Sequence, residues 1–169
     1  MGAPAGRWLR RLERRSREIA TGLVRIVRRL RRADADGPRL VSGRAEFARV
    51  VDAQIAAARE ARFALVRIDV RGLSVLQPPA ATATLRWFAG ILAHLTRSSD
   101  ARARLEGDAF AVLLLGSDSR TATRVIERLR SKQPPNRVEL GFGVAIYPDD
   151  GESADELLRR AEEELSVLA

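Results

Sequence analysis

The stretch that decides the fold is DARARLEGDAFAVLLLGSDSRTATRVIERL, which runs from residue 100 to residue 129. It holds two short runs rich in apolar residues, 101–105 and 110–115, separated by the four letters EGDA. This pattern predicts a β-hairpin with its tip at Gly107 and Asp108. We therefore expect two neighbouring strands of one sheet here.

Strands and helices alternate outward from this hairpin. The run FALVRIDV is rich in β-branched residues and predicts a buried strand that ends on Asp69. Ser42 suits the N-cap of the preceding helix. The other predicted elements are helices over 42–60, 81–96, 119–132 and 153–168 and a strand over 138–146, with breaks at Pro78-Pro79, at Pro134-Pro135 and at a turn over 148–151. Such alternation around one sheet indicates an α/β or α+β fold.

Composition excludes several classes of protein. The 169 residues are 46% hydrophobic and 31% charged, which is typical of one soluble globular domain. No apolar run approaches the ~20 residues that cross a bilayer, so we expect a cytoplasmic protein, with a peripheral position at the inner face of the membrane as the alternative. With no Cys and a single His, His94, a thiolate or imidazole metal site is not expected, and any metal would need carboxylates.

The basic charge belongs to the N-terminal segment. Residues 1–33 hold 11 Arg and 2 Glu (+9), whereas residues 34–169 hold 19 Lys and Arg against 20 Asp and Glu (−1). The main body therefore has no electrostatic signature of nucleic-acid binding. We divide the chain into a basic amphipathic helix with its linker, 1–36, and a nearly neutral domain, 37–169.

Four roles remain open for the N-terminal segment, whose apolar residues recur every three or four positions over 7–32 and predict a helix. As a coiled coil it would make a homodimer. As an interfacial helix it would place Trp8 and its aliphatic residues in an anionic membrane surface. It could also pack on its own domain, and a nucleic-acid arm is the least favoured role because such binding would be unspecific.

Two acidic residues stand at positions suited to a metal. Asp69 lies at a predicted strand end and Asp108 at the predicted hairpin tip, so one sheet could bring their carboxylates together. Mg²⁺ prefers oxygen ligands of this kind. The alternative is that Asp69 caps the following loop and Asp108 is an ordinary turn residue.

Residues 100–129 resemble the signature region of the GGDEF domain, the fold of bacterial diguanylate cyclases. The run GFGVAIYPDDGESADELLRRAEEEL, 141–165, is similar to the C-terminal strand, turn and helix of that family, FALVRIDV to its first strand, and GRAEF to the start of its first helix. The match covers residues 40–168 in order. It implies a palm-like α/β (α+β) fold: a central mixed, largely antiparallel sheet flanked by helices, here preceded by the long basic helix. In the family, two such domains meet across two GTP molecules and make cyclic di-GMP.

The same resemblance implies that catalysis is lost. Where the family has Gly-Gly-Asp-Glu-Phe, this chain keeps Gly107 and Asp108, but Ala109 removes the Glu and Glu106 would turn a negative charge toward an anionic substrate. Asp69, Gly107 and Asp108 are therefore interpreted as a vestigial metal and active site. The family's nucleotide-holding residues are also replaced, at Arg71, Gly72, Leu73, Ser74, Gln77, Thr82 and 166–169. We expect no cofactor, with Mg²⁺ only if residual cyclase activity exists.

The family's inhibitory product site is matched better. Its Arg-x-x-Asp motif corresponds to Arg97-Ser98-Ser99-Asp100, and its second arginine corresponds to Arg128. Guanidinium groups pair with phosphates and with the guanine edge, and a carboxylate accepts from guanine nitrogens. The resemblance predicts an inactive domain that binds cyclic di-GMP at Arg97, Asp100 and Arg128. The alternatives are a residual diguanylate cyclase and a nucleotide-free dimerisation scaffold.

Overall fold

The computed structural model describes residues 40–57 and 61–167 of the chain. It has five strands: β1 (Val41–Ser42), β2 (Phe63–Arg71), β3 (Ala101–Arg104), β4 (Ala109–Leu115) and β5 (Glu139–Tyr147). Four helices connect and follow them: α1 (Arg44–Ala57), α2 (Pro78–Leu95), α3 (Ser119–Arg130) and α4 (Ala154–Val167). Short 3-10 turns lie at Leu73–Val75 and Pro135–Arg137. The basic helix predicted over 7–32 and the boundary between residues 36 and 37 lie outside the described residues.

The strands form one mixed, largely antiparallel sheet in the order β1-β3-β4-β2-β5. Strand β2 pairs antiparallel with both β4 and β5, β3 pairs antiparallel with β4, and only β1 pairs parallel, with β3. This is the predicted palm-like fold class, which is confirmed. The predicted hairpin is β3 and β4, and its turn places β4 beside the central strand.

A hydrophobic core lies on each face of the sheet. On one face, helices α1 and α4 cover a cluster that includes Phe47 and Leu65, and on the other, α2 and α3 cover one that includes Ile68 and Phe88. Alternate residues of β2 contribute to the two clusters, which is why its sequence reads as a nearly continuous apolar run. Phe88 packs edge-on against Phe110 with ring centroids 4.9 Å apart.

Strand β5 and helix α4 pack closely because β5 has no side chain at Gly143. A Cβ at this position would overlap the carbonyl oxygen of Ala161 in α4. A Cβ at Gly141 would lie 2.7 Å from Leu165 Cδ2. Gly143 is therefore required by the approach of the helix backbone, whereas at Gly141 the nearest atom is in the side chain of Leu165.

The outer edge of β5 is bonded to side chains of its own chain. The backbone N–H of Val144 donates to Glu164 Oε2 (2.6 Å), and that of Ile146 donates to Asp150 Oδ2 (2.7 Å). Both amides point away from β2, the single partner strand of β5. The edge amides that would otherwise be unpaired thus have acceptors.

Three sequence predictions of element boundaries were wrong. Ser42 is not the N-cap of α1, because it belongs to β1 and pairs with Arg104, so the helix begins at Arg44. Pro78-Pro79 does not break the chain but forms the first turn of α2, where proline's missing N–H costs no hydrogen bond. Strand β2 also continues past Asp69, as far as Arg71.

None of the helices in the described part of the chain has the length and apolar character needed to cross a bilayer.

Candidate functional site

The turn between α2 and β3 is organised by Asp100, which is buried. Asp100 Oδ2 accepts a hydrogen bond from the backbone N–H of Arg97 (2.8 Å), and Oδ1 accepts one from Leu115 (3.2 Å). The N–H of Asp100 in turn donates to the carbonyl of Arg97 (3.1 Å). Asp100 therefore closes the turn and fastens it to the end of β4.

Arg97 projects from this turn with a free guanidinium. Its side chain is exposed, and it makes no hydrogen bond or ion pair to any residue that the structure describes. The helix before it ends at Leu95, and the hydroxyl of its C-cap residue Thr96 donates to the carbonyl of Leu92 (2.7 Å). Behind the turn, Arg102 Nη1 lies 3.4 Å from both the carbonyl of Ala93 and the hydroxyl of Thr96. The end of α2 and the start of β3 thus hold the backbone of the turn in place.

Arg128 lies on α3, which packs on the same face of the sheet as α2, but it is not part of the turn that holds Arg97. Helix α3 begins at the end of the sheet where Asp100 bonds Leu115, and Arg128 lies nine residues further, about 13 Å along the helix axis at 1.5 Å per residue. Its side chain is exposed and has no hydrogen-bond or ion-pair partner among the described residues. The structure brings Arg97 and Asp100 together, and a ligand contacting all three residues would have to extend along α3.

The start of α3 is fixed by Asp118, its N-cap. Asp118 Oδ1 accepts hydrogen bonds from the backbone N–H and from the hydroxyl of Thr121, both at 2.8 Å. The backbone hydrogen bond from Thr121, followed by that of its hydroxyl, lowers the pKa of Asp118 below 3.8. The carboxylate is therefore charged at neutral pH and stabilises the first turn of the helix.

The β3–β4 turn holds the other predicted site residues. Gly107 adopts a left-handed conformation (φ 57°), and its carbonyl accepts a hydrogen bond from Arg104 Nη2 (2.9 Å). The carbonyl of Asp108 accepts from the N–H of Val70 (3.0 Å), so the hairpin tip lies beside the end of β2. The side chains of Glu106 and Asp108 are exposed. The predicted juxtaposition of the hairpin tip and the β2 strand is confirmed for the backbone.

The carboxylate of Asp69 forms an ion pair with an arginine of the same chain. Arg67, two residues earlier on the same strand, places Nε 3.2 Å from Asp69 Oδ1 and Nη1 3.3 Å from Glu162 Oε1 of α4. Arg44 Nη1 lies 3.5 Å from Oε2 of the same glutamate. Only 13% of the Arg67 side chain is exposed, so this guanidinium is held inside the structure.

These residues do not fit a magnesium site. A guanidinium in contact with Asp69 opposes a second cation there, and no cluster of three or more acidic or histidine side chains that could hold a metal occurs in residues 40–57 or 61–167. The sequence analysis missed Arg67. The sequence contains a signal for this pair: Arg67 and Asp69 are two residues apart, and this spacing puts both side chains on one face of a strand.

Comparisons with known proteins agree with the fold described above. The family model described as diguanylate cyclase, GGDEF domain, matches residues 40–168. A search of curated protein sequences finds no match.

Three of the solved structures with a similar fold illustrate the match. The GGDEF domain of PA1120 (YfiN or TpbB) from Pseudomonas aeruginosa is 28% identical, with a TM-score of 0.68, over 76% of this chain and 89% of that one. A sensory box/GGDEF family protein from Caulobacter crescentus is 25% identical, with a TM-score of 0.63, over 76% and 92%. The coiled coil and GGDEF domain of DgcB from Caulobacter crescentus, in complex with c-di-GMP, is 20% identical, with a TM-score of 0.68, over 92% and 93%.

Proposed function

The chain belongs to the GGDEF domain family, and we propose that it is a catalytically inactive member that acts in cyclic di-GMP signalling. In this proposal, cyclic di-GMP binds at the turn that holds Arg97 and Asp100, with Arg128 as a further contact. Two neighbours of the same fold, both of DgcB, have cyclic di-GMP bound. Their identity to this chain is 19% and 20%, so the assignment to this chain depends on its own residues.

The observation that carries the proposal is the unpaired guanidinium of Arg97 on a turn fixed by Asp100. Because the turn is rigid, binding at Arg97 orders only the arginine side chain and not the backbone, and the guanidinium fork pairs in two places with a phosphate or with the N7 and O6 edge of guanine. Each carboxylate oxygen of Asp100 accepts one hydrogen bond from a backbone N–H. A carboxylate has about four lone-pair positions that can accept hydrogen bonds, so two remain for donors of a bound base.

The absence of catalysis is supported by the charges around β2. Phosphoryl transfer depends on positioning the phosphates and neutralising their charge, which cyclases of this family do with a metal. Here Arg67 is paired with Asp69, the exposed Glu106 adds a negative charge at the hairpin, and the buried Ala109 offers no carboxylate. The test is to incubate the protein at high concentration with GTP and Mg²⁺ or Mn²⁺. We expect no cyclic di-GMP, and product formation would refute the inactive assignment.

Isothermal titration calorimetry tests the binding proposal. We expect Arg97→Ala to weaken cyclic di-GMP binding at least about tenfold, the loss of one charge-assisted hydrogen bond. The backbone N–H of residue 97 still bonds Asp100 in this variant, so the turn is preserved. Arg97→Lys keeps the charge but lacks the guanidinium fork, so its cyclic di-GMP affinity should lie between those of the wild type and Arg97→Ala. The matched control is Arg49→Ala, an exposed arginine of α1 on the opposite face of the sheet.

Two results would overturn the binding proposal. One is Arg97→Ala binding cyclic di-GMP as tightly as the wild type does. The other is no heat of binding with the wild-type protein at any accessible concentration, which would favour the nucleotide-free scaffold. GTP serves as the control ligand, because the proposed site is for the cyclic dinucleotide and not for a nucleoside triphosphate.

For the segment 1–36 we keep two proposed roles: pairing of two copies through its predicted helix, and contact with an anionic membrane surface. Sedimentation equilibrium of the full chain, with and without cyclic di-GMP, tests the first role. A monomer under both conditions would exclude homodimerisation.

A further inference from the structure

Helix α3 carries three arginines at intervals of four residues: Arg120, Arg124 and Arg128. Residues four apart lie on one face of a helix, so the three form a single stripe, about 12 Å from the first Cα to the last at 1.5 Å per residue. We call this the α3 arginine stripe. All three side chains are exposed, and none makes a hydrogen bond or ion pair with any residue in the described part of the chain.

The stripe is unfavourable for the helix that carries it. Like charges four residues apart repel each other, and Arg120 lies in the first turn, where the helix dipole is positive. The one acidic residue within α3 is Glu127. Asp118 at the N-cap and Glu127 offset only part of this repulsion, with two carboxylates against three arginines of the stripe, and violations of local stability rules of this kind are expected at functional surfaces.

Some arginines on the helices of this domain do have partners. Arg130 places its guanidinium over the ring of Phe142, 5.3 Å from the ring centroid. On the opposite face, Arg159 pairs with Glu163 at 2.6 Å. Exposed arginines without a partner among the described residues also occur singly, at Arg49 and Arg86, but α3 is the described helix that carries three of them on one face.

The sequence that precedes residue 40 is itself strongly cationic, since residues 1–33 carry 11 Arg and 2 Glu. Strand β1 runs parallel to β3, and β3 is antiparallel to β4, so β1 begins toward the end of the sheet where β4 ends and α3 starts.

We propose that the α3 arginine stripe is a docking surface for an anionic lipid membrane. Each basic residue near an anionic bilayer surface adds to binding, and three in a row on a rigid helix would orient the domain on that surface. A membrane is favoured over a nucleic acid because the arginines of segment 1–33 are interleaved with a Trp and with Leu, Ile and Val residues. Apolar residues of this kind insert into the acyl boundary and have no use on a phosphate backbone.

The test is co-sedimentation of the full chain with vesicles of equimolar phosphatidylcholine and phosphatidylglycerol. We expect Arg120→Gln/Arg124→Gln to reduce the partition coefficient about 30-fold, the equivalent of roughly 1 kcal/mol per arginine near the surface. The matched control is Arg49→Gln/Arg160→Gln, which removes the same charge from the α1 and α4 face and should change the partition much less. Vesicles of phosphatidylcholine alone should not bind the wild type.

Three outcomes would overturn the proposal. The stripe variant could bind the vesicles as tightly as the wild type. The partition coefficients of both double variants could fall by the same factor, in which case net charge alone governs binding. The stripe variant could instead lose affinity for duplex DNA while its vesicle binding is unchanged. Because glutamine forms helices well and the repulsion is removed, we expect the stripe variant to be at least as stable as the wild type in urea.

This proposal does not depend on nucleotide binding. Arg120 and Arg124 are not among the residues proposed to bind cyclic di-GMP, and Arg128, which both surfaces share, is left intact in the stripe variant. A ligand that extends along α3 to Arg128 would pass Arg124, so calorimetry on the stripe variant, without vesicles, measures its cyclic di-GMP affinity separately. Failure of the nucleotide proposal would appear in the calorimetry alone, and failure of the membrane proposal in the vesicle assay alone.

Discussion

Replacing Asp100 should destabilise the whole domain, because this carboxylate accepts the backbone amides of Arg97 at 2.8 Å and of Leu115 at 3.2 Å. The side chain is 8% exposed. In Asp100→Ala both amides lose their acceptor, and the turn is no longer fastened to the end of β4. In Asp100→Asn the side-chain oxygen can accept from one amide, while the new NH₂ group faces the other donor.

The magnitude follows from the two hydrogen bonds. A hydrogen bond to a charged group contributes about 1.5 kcal/mol at the low end of its range, so Asp100→Ala should cost about 3 kcal/mol. In a domain of this size that corresponds to a fall of roughly 10 °C in the melting temperature. Asp100→Asn should cost about half as much, since it loses one bond.

Urea unfolding followed by circular dichroism measures these losses. The control is Asp149→Ala, which removes a two-pronged pair with Arg62 (2.8 and 3.0 Å) whose side chains are both more than half exposed, and should cost under about 1 kcal/mol. A loss below about 0.5 kcal/mol for Asp100→Ala would refute a structural role for this carboxylate. If the role holds, loss of nucleotide binding in Asp100→Ala is ambiguous, and Arg97→Ala becomes the decisive variant.

Three further predictions concern other parts of the domain. Gly143→Ala should destabilise the domain by about 3 kcal/mol in thermal unfolding, because its Cβ overlaps the backbone of α4. The control, Gly90→Ala in α2, places its Cβ in open space and should stabilise the domain by up to about 1 kcal/mol. Equal effects of the two substitutions would be inconsistent with the packing described. Asp118→Asn should be less stable than the wild type at neutral pH. Since the hydrogen bonds from Thr121 lower the pKa of Asp118, that difference should shrink as the pH falls below the usual aspartate range and vanish below the lowered pKa; a constant difference in unfolding midpoint would argue against it. Arg67→Met should cost about 2 kcal/mol in urea unfolding by leaving Asp69 unpaired, and Mg²⁺ should not raise the wild-type midpoint; a rise would mean that the metal can displace the guanidinium.

Local patterns predicted most of the fold. The hairpin turn at Gly107 and the apolar strands on either side follow from residue type and spacing alone, and so does the amphipathic helix α3. Strand β1 could not be predicted, because its two residues become a strand only by pairing with β3. Ser42 was misassigned for this reason, since its N-cap preference was overridden by a tertiary contact.

The site was less predictable than the fold. The motif predicts Arg97 and Asp100 as binding residues and places them in one turn, but it could not predict the second bond of Asp100, to Leu115, whose position depends on the packing of β4. The pairing of Arg67 with Asp69 was within reach of the sequence, because residues two apart on a strand share a face. Its extension to Glu162 was not, since that contact depends on where α4 lies against the sheet.

Two amides on the outer edge of β5 are bonded within the chain, and this restricts the addition of another strand there. With Glu164 and Asp150 occupying the amides of Val144 and Ile146, a strand from another molecule finds no free donors at these two positions, so the domain resists self-association by strand addition. Glu164→Ala would open one of these positions while leaving the hydrophobic core intact. Concentrated solutions of that variant should therefore form β-rich aggregates under conditions in which the wild type remains dispersed.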